Sequence, residues 1–385
     1  MPGEGSLDAL AALTETDVIT SVECFDCVVP LPEPVRVGSA VVASRSYAIV
    51  RLRTQRGAEG VGYAFGRGLP VARIISEALA PVLAGADTRV PERVRERVRG
   101  AFWSYAEQGL LAVALSAVDL ALWDMLGRRA GLPVADLLGR RVAAVDACFI
   151  GGYAKLSGDD PAALEEEMAG FVAQGARAVK LTIGDASPRD DGERLKVVRR
   201  AIGDDRLIVV DAFRTFRNLD EALHRLRFLE PSGLAYLEDP FSESLAPLLA
   251  ELRHRTSVPI GLGENLSGHR AFRALIASGA VDVIRCDATV VGGVREFMAV
   301  AALASAHGLP VATHVHPEVH VHFASALPDL HPAGLELMLP SSGLDGFHHL
   351  LRTQLEVVDG AVVVPQRPGL GLDLDWPAVE RYAHA

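Results

Sequence analysis

Between residues 178 and 339, short apolar segments with the composition of β-strands end repeatedly on a charged or ionisable residue. Seven such residues follow one another at intervals of 22 to 31 positions: Lys180, Asp211, Glu238, Glu264, Asp287, His314 and Glu336. One strand, one helix and two short loops need about that length of chain. Because the parallel strands of a barrel end at the same rim, the pattern predicts a β/α barrel with polar groups gathered at one end.

The chain divides into three segments by pattern. Residues 1–140 predict an α+β domain, in which a loose leader (residues 1–16) precedes an antiparallel meander and then helical periodicity. Strand and helix patterns alternate through residues 141–355, which is typical of parallel β/α topology. Residues 356–385 hold another strand-like run, and we expect them to pack back on the N-terminal domain.

Composition argues against several classes of partner. The chain has 385 residues, 49% of them hydrophobic, and a formal net charge of −11. Nucleic acid and anionic membranes are poor partners for a chain that is this acidic and has no basic run. No stretch of about 18 uninterrupted apolar residues indicates a membrane helix, and no signal peptide is expected. Four scattered cysteines, of which Cys24 and Cys27 have redox spacing, predict no disulfide framework, so we expect a cytoplasmic protein.

Three of the strand-end residues are carboxylates on consecutive strands: Asp211, Glu238 and Glu264. Each alone could cap the helix that follows it. Together at a barrel rim, they would repel one another and raise one another's pKa unless a cation lay between them. Oxygen ligands suit a hard ion, so the sequence predicts a site for Mg²⁺, with Mn²⁺ as the second choice.

His314 and Asp287 are predicted at the ends of adjacent strands. Asp287 would then hold one ring nitrogen of His314 and leave the other free to act as a base. A structural His–Asp hydrogen bond is the alternative. The His314-Val-His316 spacing could also bind Zn²⁺, but no Cys or further His is placed to complete a tetrahedral site. We therefore expect His316, with His320 and His322, at the rim or behind it.

Several motifs resemble those of the enolase superfamily, and within it the mandelate racemase/muconate lactonizing enzyme group. The resemblance extends over nearly all of residues 18–382. The motifs that carry it are Ala121–Gly127, Leu132–Arg140, Arg177–Gly184, Leu237–Pro240, Gly263–Asn265, Asp287–Val294 and Pro368–Gly371. The order and spacing of these motifs together are more specific for the family than any single motif.

The resemblance implies an α/β fold, a modified TIM barrel of the (β/α)7β type with an N-terminal α+β capping domain, and a homo-oligomer. Sites of this superfamily use a Lys or His base with one or two Mg²⁺ ions. For this chain it implies Mg²⁺ on the three carboxylates, a small carboxylate substrate, and removal of its α-proton. Lys180 matches a lysine that contacts the substrate carboxylate, and Glu336 matches an acid that binds the carboxylate or ene-diolate.

Three positions depart from patterns that are common in the family. Thr182 stands where many relatives carry a second lysine, and a threonine cannot act as a base near pH 7. A racemase with two bases is therefore disfavoured. Phe213 replaces a common asparagine, and the adjacent Arg214 is expected to contact an anion instead. Asp287 in place of a lysine favours the mandelate racemase branch.

A single histidine base suits dehydration, in which His314 removes the α-proton and the β-hydroxyl then leaves. The expected function is an Mg²⁺-dependent hydro-lyase that converts a sugar acid or related hydroxy acid to a 2-keto acid. A racemase, epimerase or cycloisomerase is the first alternative, and a catalytically silent metal-binding relative is the second. Loops at residues 32–46 and 63–70 are expected to select the substrate. Four residues are expected to bind it: Thr182, Arg214, Tyr63 and His316.

Overall fold

A computed structural model describes residues 15–38, 40–105, 108–154 and 160–384. The N-terminal sheet is antiparallel, in the predicted meander: β1 (Ile19–Val37), β2 (Ala40–Thr54) and β3 (Glu59–Phe65), with the C-terminal strand Ala383–His384 beside β1. The predicted leader, residues 1–16, lies almost wholly outside the described residues. Helical segments follow the sheet: α1 (Val71–Arg73), a π-helical turn (Ile74–Leu79), α2 (Ala80–Leu83), α3 (Pro91–Ala101), α4 (Gly109–Ala130) and α5 (Val134–Leu137).

Eight parallel strands form the barrel: β4 (Ala144–Ile150), β5 (Ala178–Thr182), β6 (Leu207–Asp211), β7 (Leu234–Glu238), β8 (Ile260–Leu262), β9 (Val283–Cys286), β10 (Val311–Thr313) and β11 (Leu335–Leu337). Strands β4 to β10 pair in chain order, and β11 returns to pair with β4. Strands covered by helices on one face and by the barrel interior on the other are largely apolar, as in β6, where four apolar residues precede Asp211. The predicted barrel is confirmed.

Helices follow the barrel strands: α6 (Pro161–Ala173), α7 (Pro188–Ile202), α8 (Leu219–Leu229), α9 (Ala246–Arg255), α10 (His269–Ala277), α11 (Val294–Ala306) and α12 (Pro317–Ala324). Short 3-10 helices lie at Glu230–Ser232, Glu243–Leu245, Pro340–Ser342 and Phe347–Leu350. Local sequence sets several helix starts. The side chains of Ser187 and Asn218 accept hydrogen bonds from backbone N–H groups in the first turns of α7 and α8.

The C-terminal segment divides between the two domains, whereas the sequence placed all of residues 356–385 on the N-terminal one. Strands β12 (Val357–Val358) and β13 (Ala361–Val363) form a hairpin, and β13 pairs antiparallel with β4. Strand β11 is only three residues long and covers only part of that edge of β4, so β13 can extend the barrel sheet there. The final helix, α13 (Trp376–Tyr382), packs against β1, where the Trp376 ring lies 5.6 Å from that of Phe25.

Residues 31–38 and 40–46, which we call the lid hairpin, belong to the ends of β1 and β2 and lie over the barrel mouth. The sequence predicted a loop over most of this segment because of its prolines and glycine. The sheet accommodates the prolines through a register shift between Pro30 and Val35, where residues without an N–H donor break no regular pairing. The mouth of the barrel therefore has a wall of β-structure on this side.

Helix α4 joins the sheet to the barrel. By length and composition it could cross a membrane, but 67% of its most apolar window is buried inside the protein. Gly62 of β3 allows the approach, because a Cβ there would overlap the backbone oxygen of Ala117. On the barrel side, Ser116 Oγ accepts a hydrogen bond from Gly292 N at 2.8 Å, and Asp119 Oδ2 accepts one from Val294 N at 2.7 Å. Helix α4 thus holds the loop that follows β9.

Candidate active site

The polar residues of the strands lie around one end of the barrel, although Lys180 and Glu336 lie within their strands and not at the ends as predicted. Asp211 and Glu238 are the last residues of β6 and β7, while Asp287 and His314 directly follow β9 and β10. A cavity of about 590 Å³ opens above them, between the carboxyl ends of the barrel strands and the lid hairpin. This is where ligands bind in parallel β/α barrels.

Backbone strain is concentrated around this cavity. Among the described residues, seven other than glycine have positive φ, and six of them line it: Arg67, Phe213, Arg214, Asp239, Val315 and His316. Such conformations cost free energy and persist where the surrounding structure imposes them, often at functional sites. The surrounding structure therefore imposes the backbone conformation that shapes this cavity.

Lys180 lies at the centre of a network of buried charged residues, which we call the charge network. Its Nζ lies 2.8 Å from Glu238 Oε2, 2.9 Å from Glu336 Oε1 and 3.2 Å from Asp211 Oδ2. Burial by itself would lower the pKa of Lys180, but the three carboxylates raise it well above its ordinary value. Lys180 is therefore a fixed ammonium at the floor of the cavity.

Arg285 is the charged residue that the sequence analysis missed. It is fully buried in the barrel, with Nε 2.9 Å from Glu238 Oε1 and Nη2 2.7 Å from Glu336 Oε1. Burial would raise the pKa of Glu336, but Arg285 and Lys180 lower it to about 2. The sequence does contain a signal for Arg285, because it is a charged residue within an otherwise apolar strand. A buried arginine requires charged partners, so such a position indicates acidic residues nearby.

Two of the three predicted metal ligands, Glu238 and Glu264, have carboxylate oxygens that accept no hydrogen bond. Burial raises the pKa of Asp211 and of Glu238, although Lys180 and Arg285 act against it. Both carboxylate oxygens of Glu238 and the Oε2 of Glu264 are buried and accept no hydrogen bond with proper geometry, even where ion-pair distances are short. The described residues contain no cluster of three His, Cys, Asp or Glu side chains placed to hold a metal ion. The Nζ atom of Lys180 lies against Asp211 and Glu238. The donor set, which consists of oxygens only, fits a hard divalent cation.

His314 and Asp287 form the predicted pair. Nδ1 of His314 lies 2.7 Å from Asp287 Oδ2, and Nε2 lies 3.3 Å from Glu264 Oε2. Thr289 holds the other oxygen of Asp287 through its backbone N–H and its hydroxyl, both at 2.7 Å. Burial would raise the pKa of Asp287, but the hydrogen bond and charge of His314 and the charges of neighbouring histidines hold it well below its ordinary value. Asp287 thus remains a carboxylate that fixes the ring of His314.

The other histidines of this segment do not form a metal site. His320 is bonded at both ring nitrogens to backbone groups, those of Ala288 and Val315, and His322 to those of Ala135 and Leu370. His316 lines the cavity in contact with the rings of Tyr47, Tyr63 and Phe65. Burial lowers the pKa of His316 to about 3, so this imidazole is neutral.

Some of the residues expected to bind substrate line the cavity, and others do not. His316 and Arg214 line the cavity, but Arg214 is paired with Asp239 at 3.1 Å and with Glu243 at 2.6 Å. Tyr63 lies behind His316, stacked on Phe347 with ring centroids 4.2 Å apart, and does not line the cavity.

Cys24 and Cys27 do not form a disulfide bond. Both thiols are free, and burial raises the pKa of each to about 12, so neither is a reactive thiolate near neutral pH.

Two family models match the chain over most of its length. The mandelate racemase/muconate lactonizing enzyme N-terminal domain matches residues 19–139, and the enolase C-terminal domain-like family matches residues 163–379. The chain belongs to the enolase superfamily. It lies within the mandelate racemase/muconate lactonizing enzyme group, and the fold expected from the resemblance is confirmed.

Similar proteins of the superfamily include acid sugar dehydratases. The chain is 30% identical to an arabinonate dehydratase of Saccharolobus solfataricus, over 84% of this chain and 86% of that protein. It is 31% identical to an L-talarate/galactarate dehydratase of Salmonella typhimurium, over 86% of this chain and 81% of that protein. A racemase from Streptomyces coelicolor A3(2), solved with bound magnesium, superposes with a TM-score of 0.87 at 27% identity and covers 95% of this chain and 100% of that one.

In this member of the enolase superfamily, Thr182 lies beside the charge network. It is buried on β5 in register with Asp211, and its hydroxyl lies 3.4 Å from the backbone oxygen of Gly152. Thr182 does not line the cavity. The position therefore presents no basic group to a substrate on the face opposite His314.

Proposed function

We propose that this protein is an Mg²⁺-dependent dehydratase of a sugar acid or related hydroxy acid, with a 2-keto acid as product. The observation that carries the proposal is the asymmetry of the cavity. One oriented base, His314, reaches it, and Thr182 supplies none in the place of a lysine. The similarity to acid sugar dehydratases supports the same reaction class.

Asp211, Glu238 and Glu264 would hold the metal, with Mn²⁺ as a possible substitute for Mg²⁺. The bound cation supplies positive charge that binds the substrate carboxylate and makes its α-proton more acidic. Lys180, freed from Asp211 and Glu238, would then be available to the same carboxylate. Arg285 stays below, where it keeps Glu238 and Glu336 in place.

His314 performs the proton transfers in this proposal. Its Nε2 accepts the α-proton, while Asp287 stabilises the imidazolium through Nδ1. The same Nε2–H then protonates the β-hydroxyl, which leaves as water and returns the ring to its neutral form. The resulting enol becomes the 2-keto acid by taking a proton at C3 as it loses its hydroxyl proton, so the overall reaction is the loss of one water.

A library of acid sugars, assayed for 2-keto acid product with magnesium present, tests the reaction class. We expect at least one acid to be dehydrated. If none is dehydrated but one exchanges its α-proton for deuterium in D₂O, the protein is an epimerase or racemase and the dehydratase proposal is wrong. If no acid gives a product and none exchanges its α-proton, the protein is a catalytically silent member of the family.

Isothermal titration with Mg²⁺ tests the metal site separately from turnover. We expect one site per chain, and at least about tenfold weaker binding in Glu238→Gln, because the amide lacks the charge that a hard cation requires. Glu251→Gln, on the exposed side of α9, is the matched control and should bind normally. Unchanged affinity in Glu238→Gln would exclude Glu238 from the site.

We also propose a cytoplasmic location and a homo-oligomer without nucleic-acid or membrane partners. The acidic composition and the free cysteines support the location and the absence of such partners. Family resemblance supports the oligomer, and sedimentation measures it directly.

A further inference from the structure

Three arginines line the cavity above the charge network, and two of them are already paired. Arg214 Nε lies 3.1 Å from Asp239 Oδ2, and Arg67 Nη2 lies 3.6 Å from Glu264 Oε1. Arg45 has no carboxylate within ion-pair distance among the residues that the structure describes. Among the described residues, it is therefore the arginine of this cavity that has no carboxylate partner and can bind an anion.

The fold holds Arg45 in place without neutralising it. Arg45 Nε donates to the backbone oxygen of Leu344 at 3.1 Å, and the guanidinium carbon lies 5.9 Å from the centre of the Phe65 ring. Two residues along β2, Tyr47 faces the same side of the strand and donates to Asp345. The terminal nitrogens of Arg45 donate no hydrogen bond to any described residue, which leaves a two-pronged donor for a ligand.

Arg45 and Lys180 line the same cavity from different domains. Arg45 belongs to the lid hairpin, and Lys180 belongs to barrel strand β5. Tyr153, which also lines the cavity, lies within range of both charges. Burial raises the pKa of Tyr153 to about 12, while Arg45 and Lys180 both act to lower it. A molecule that fills the cavity would meet one cation at the barrel floor and the other on the lid.

We propose that Arg45 binds a second carboxylate of the substrate, so that this protein acts on dicarboxylic sugar acids in preference to monocarboxylic ones. The inference rests on the proposed function and narrows its substrate class. A guanidinium recognises a carboxylate through paired, charge-assisted hydrogen bonds, whereas a terminal hydroxyl offers neither the charge nor the paired geometry. A volume of about 590 Å³ leaves room for a six-carbon diacid.

Matched pairs of acids test the proposal. Galactarate and galactonate share their configuration and differ at C6, as do glucarate and gluconate. We expect the wild-type protein to prefer the diacid of a pair in kcat/KM. Arg45→Met should raise KM for the diacid by about tenfold or more, with little effect on the monoacid, and Arg45→Lys should retain part of the preference. Arg53→Met, on the same strand but exposed and paired with Glu59, is the control and should change neither value.

Binding measurements separate this inference from the proposed reaction. Calorimetry with magnesium present compares the affinity of each diacid with that of its monoacid, whether or not either compound turns over. If no acid is dehydrated but the diacid binds more tightly and Arg45→Met removes the difference, the Arg45 site stands and the dehydratase proposal fails. Equal affinities in the wild-type protein, or an equal loss for both acids in Arg45→Met, would overturn the Arg45 proposal.

Discussion

Replacing His314 with asparagine is expected to reduce turnover on the order of 10³-fold while leaving Mg²⁺ binding intact. A positioned general acid–base group contributes about 10²–10⁴ to a rate, and in the proposed reaction His314 serves in two steps. Asparagine keeps a hydrogen-bonding group beside Asp287 but cannot accept the α-proton. Steady-state rates measure the loss, and titration calorimetry measures the retained metal site.

A histidine outside the cavity provides the comparison. His307 is exposed at the end of α11, where its ring is bonded to the backbone oxygen of Leu303, so His307→Asn should leave the rate unchanged. Deuterium exchange at the α-carbon should also disappear in His314→Asn. If that variant retains turnover or exchange, another residue is the base.

Replacing Arg285 with methionine is expected to lower the free energy of unfolding by about 3–5 kcal/mol, measured by denaturant titration in EDTA. Removing one partner of a buried ion pair leaves the other charge uncompensated, which accounts for costs of this size. Here Glu238 and Glu336 would both lose a partner, and Lys180 alone would face the remaining carboxylates. Saturating magnesium should reduce the difference, because a bound cation would replace part of the missing charge.

Arg253→Met is the matched control for that experiment. Arg253 also pairs with an aspartate, Asp282 at 2.7 Å, but its side chain is 34% exposed. Partly exposed pairs contribute at most about 1 kcal/mol, so this variant should remain close to wild type. A loss below about 1 kcal/mol in Arg285→Met as well would show that the buried network does not depend on this arginine.

The barrel and the positions of its strand-end residues could be predicted because the information is local. In these strands an apolar run is followed by a polar residue at or just after the end of the strand, as at Asp211 and His314. Because the parallel strands of a barrel end at the same rim, no further sequence information is needed to place these residues close together. The lack of a basic group at Thr182 could also be predicted, because the family resemblance indicates the position and the residue type does the rest.

Features that depend on contacts between distant segments were missed or mistaken. Arg285 was read as part of an apolar strand, because its partners lie on other strands. The lid hairpin was read as a loop, because prolines disfavour regular pairing and the register shift that accommodates them is set by the opposite strand. Without that hairpin, the placement of Arg45 opposite the barrel floor could not be inferred from the sequence.

The division of the cavity between two domains has a consequence for how new specificities arise. Residues proposed for the reaction lie on short, buried strand ends, whereas Arg45 lies on a hairpin that contributes nothing to proton transfer. Substitutions on that hairpin can retarget the protein to another acid while the reactive groups keep their spacing. Selection for a new nutrient, or a directed library limited to one hairpin, therefore has a short mutational path.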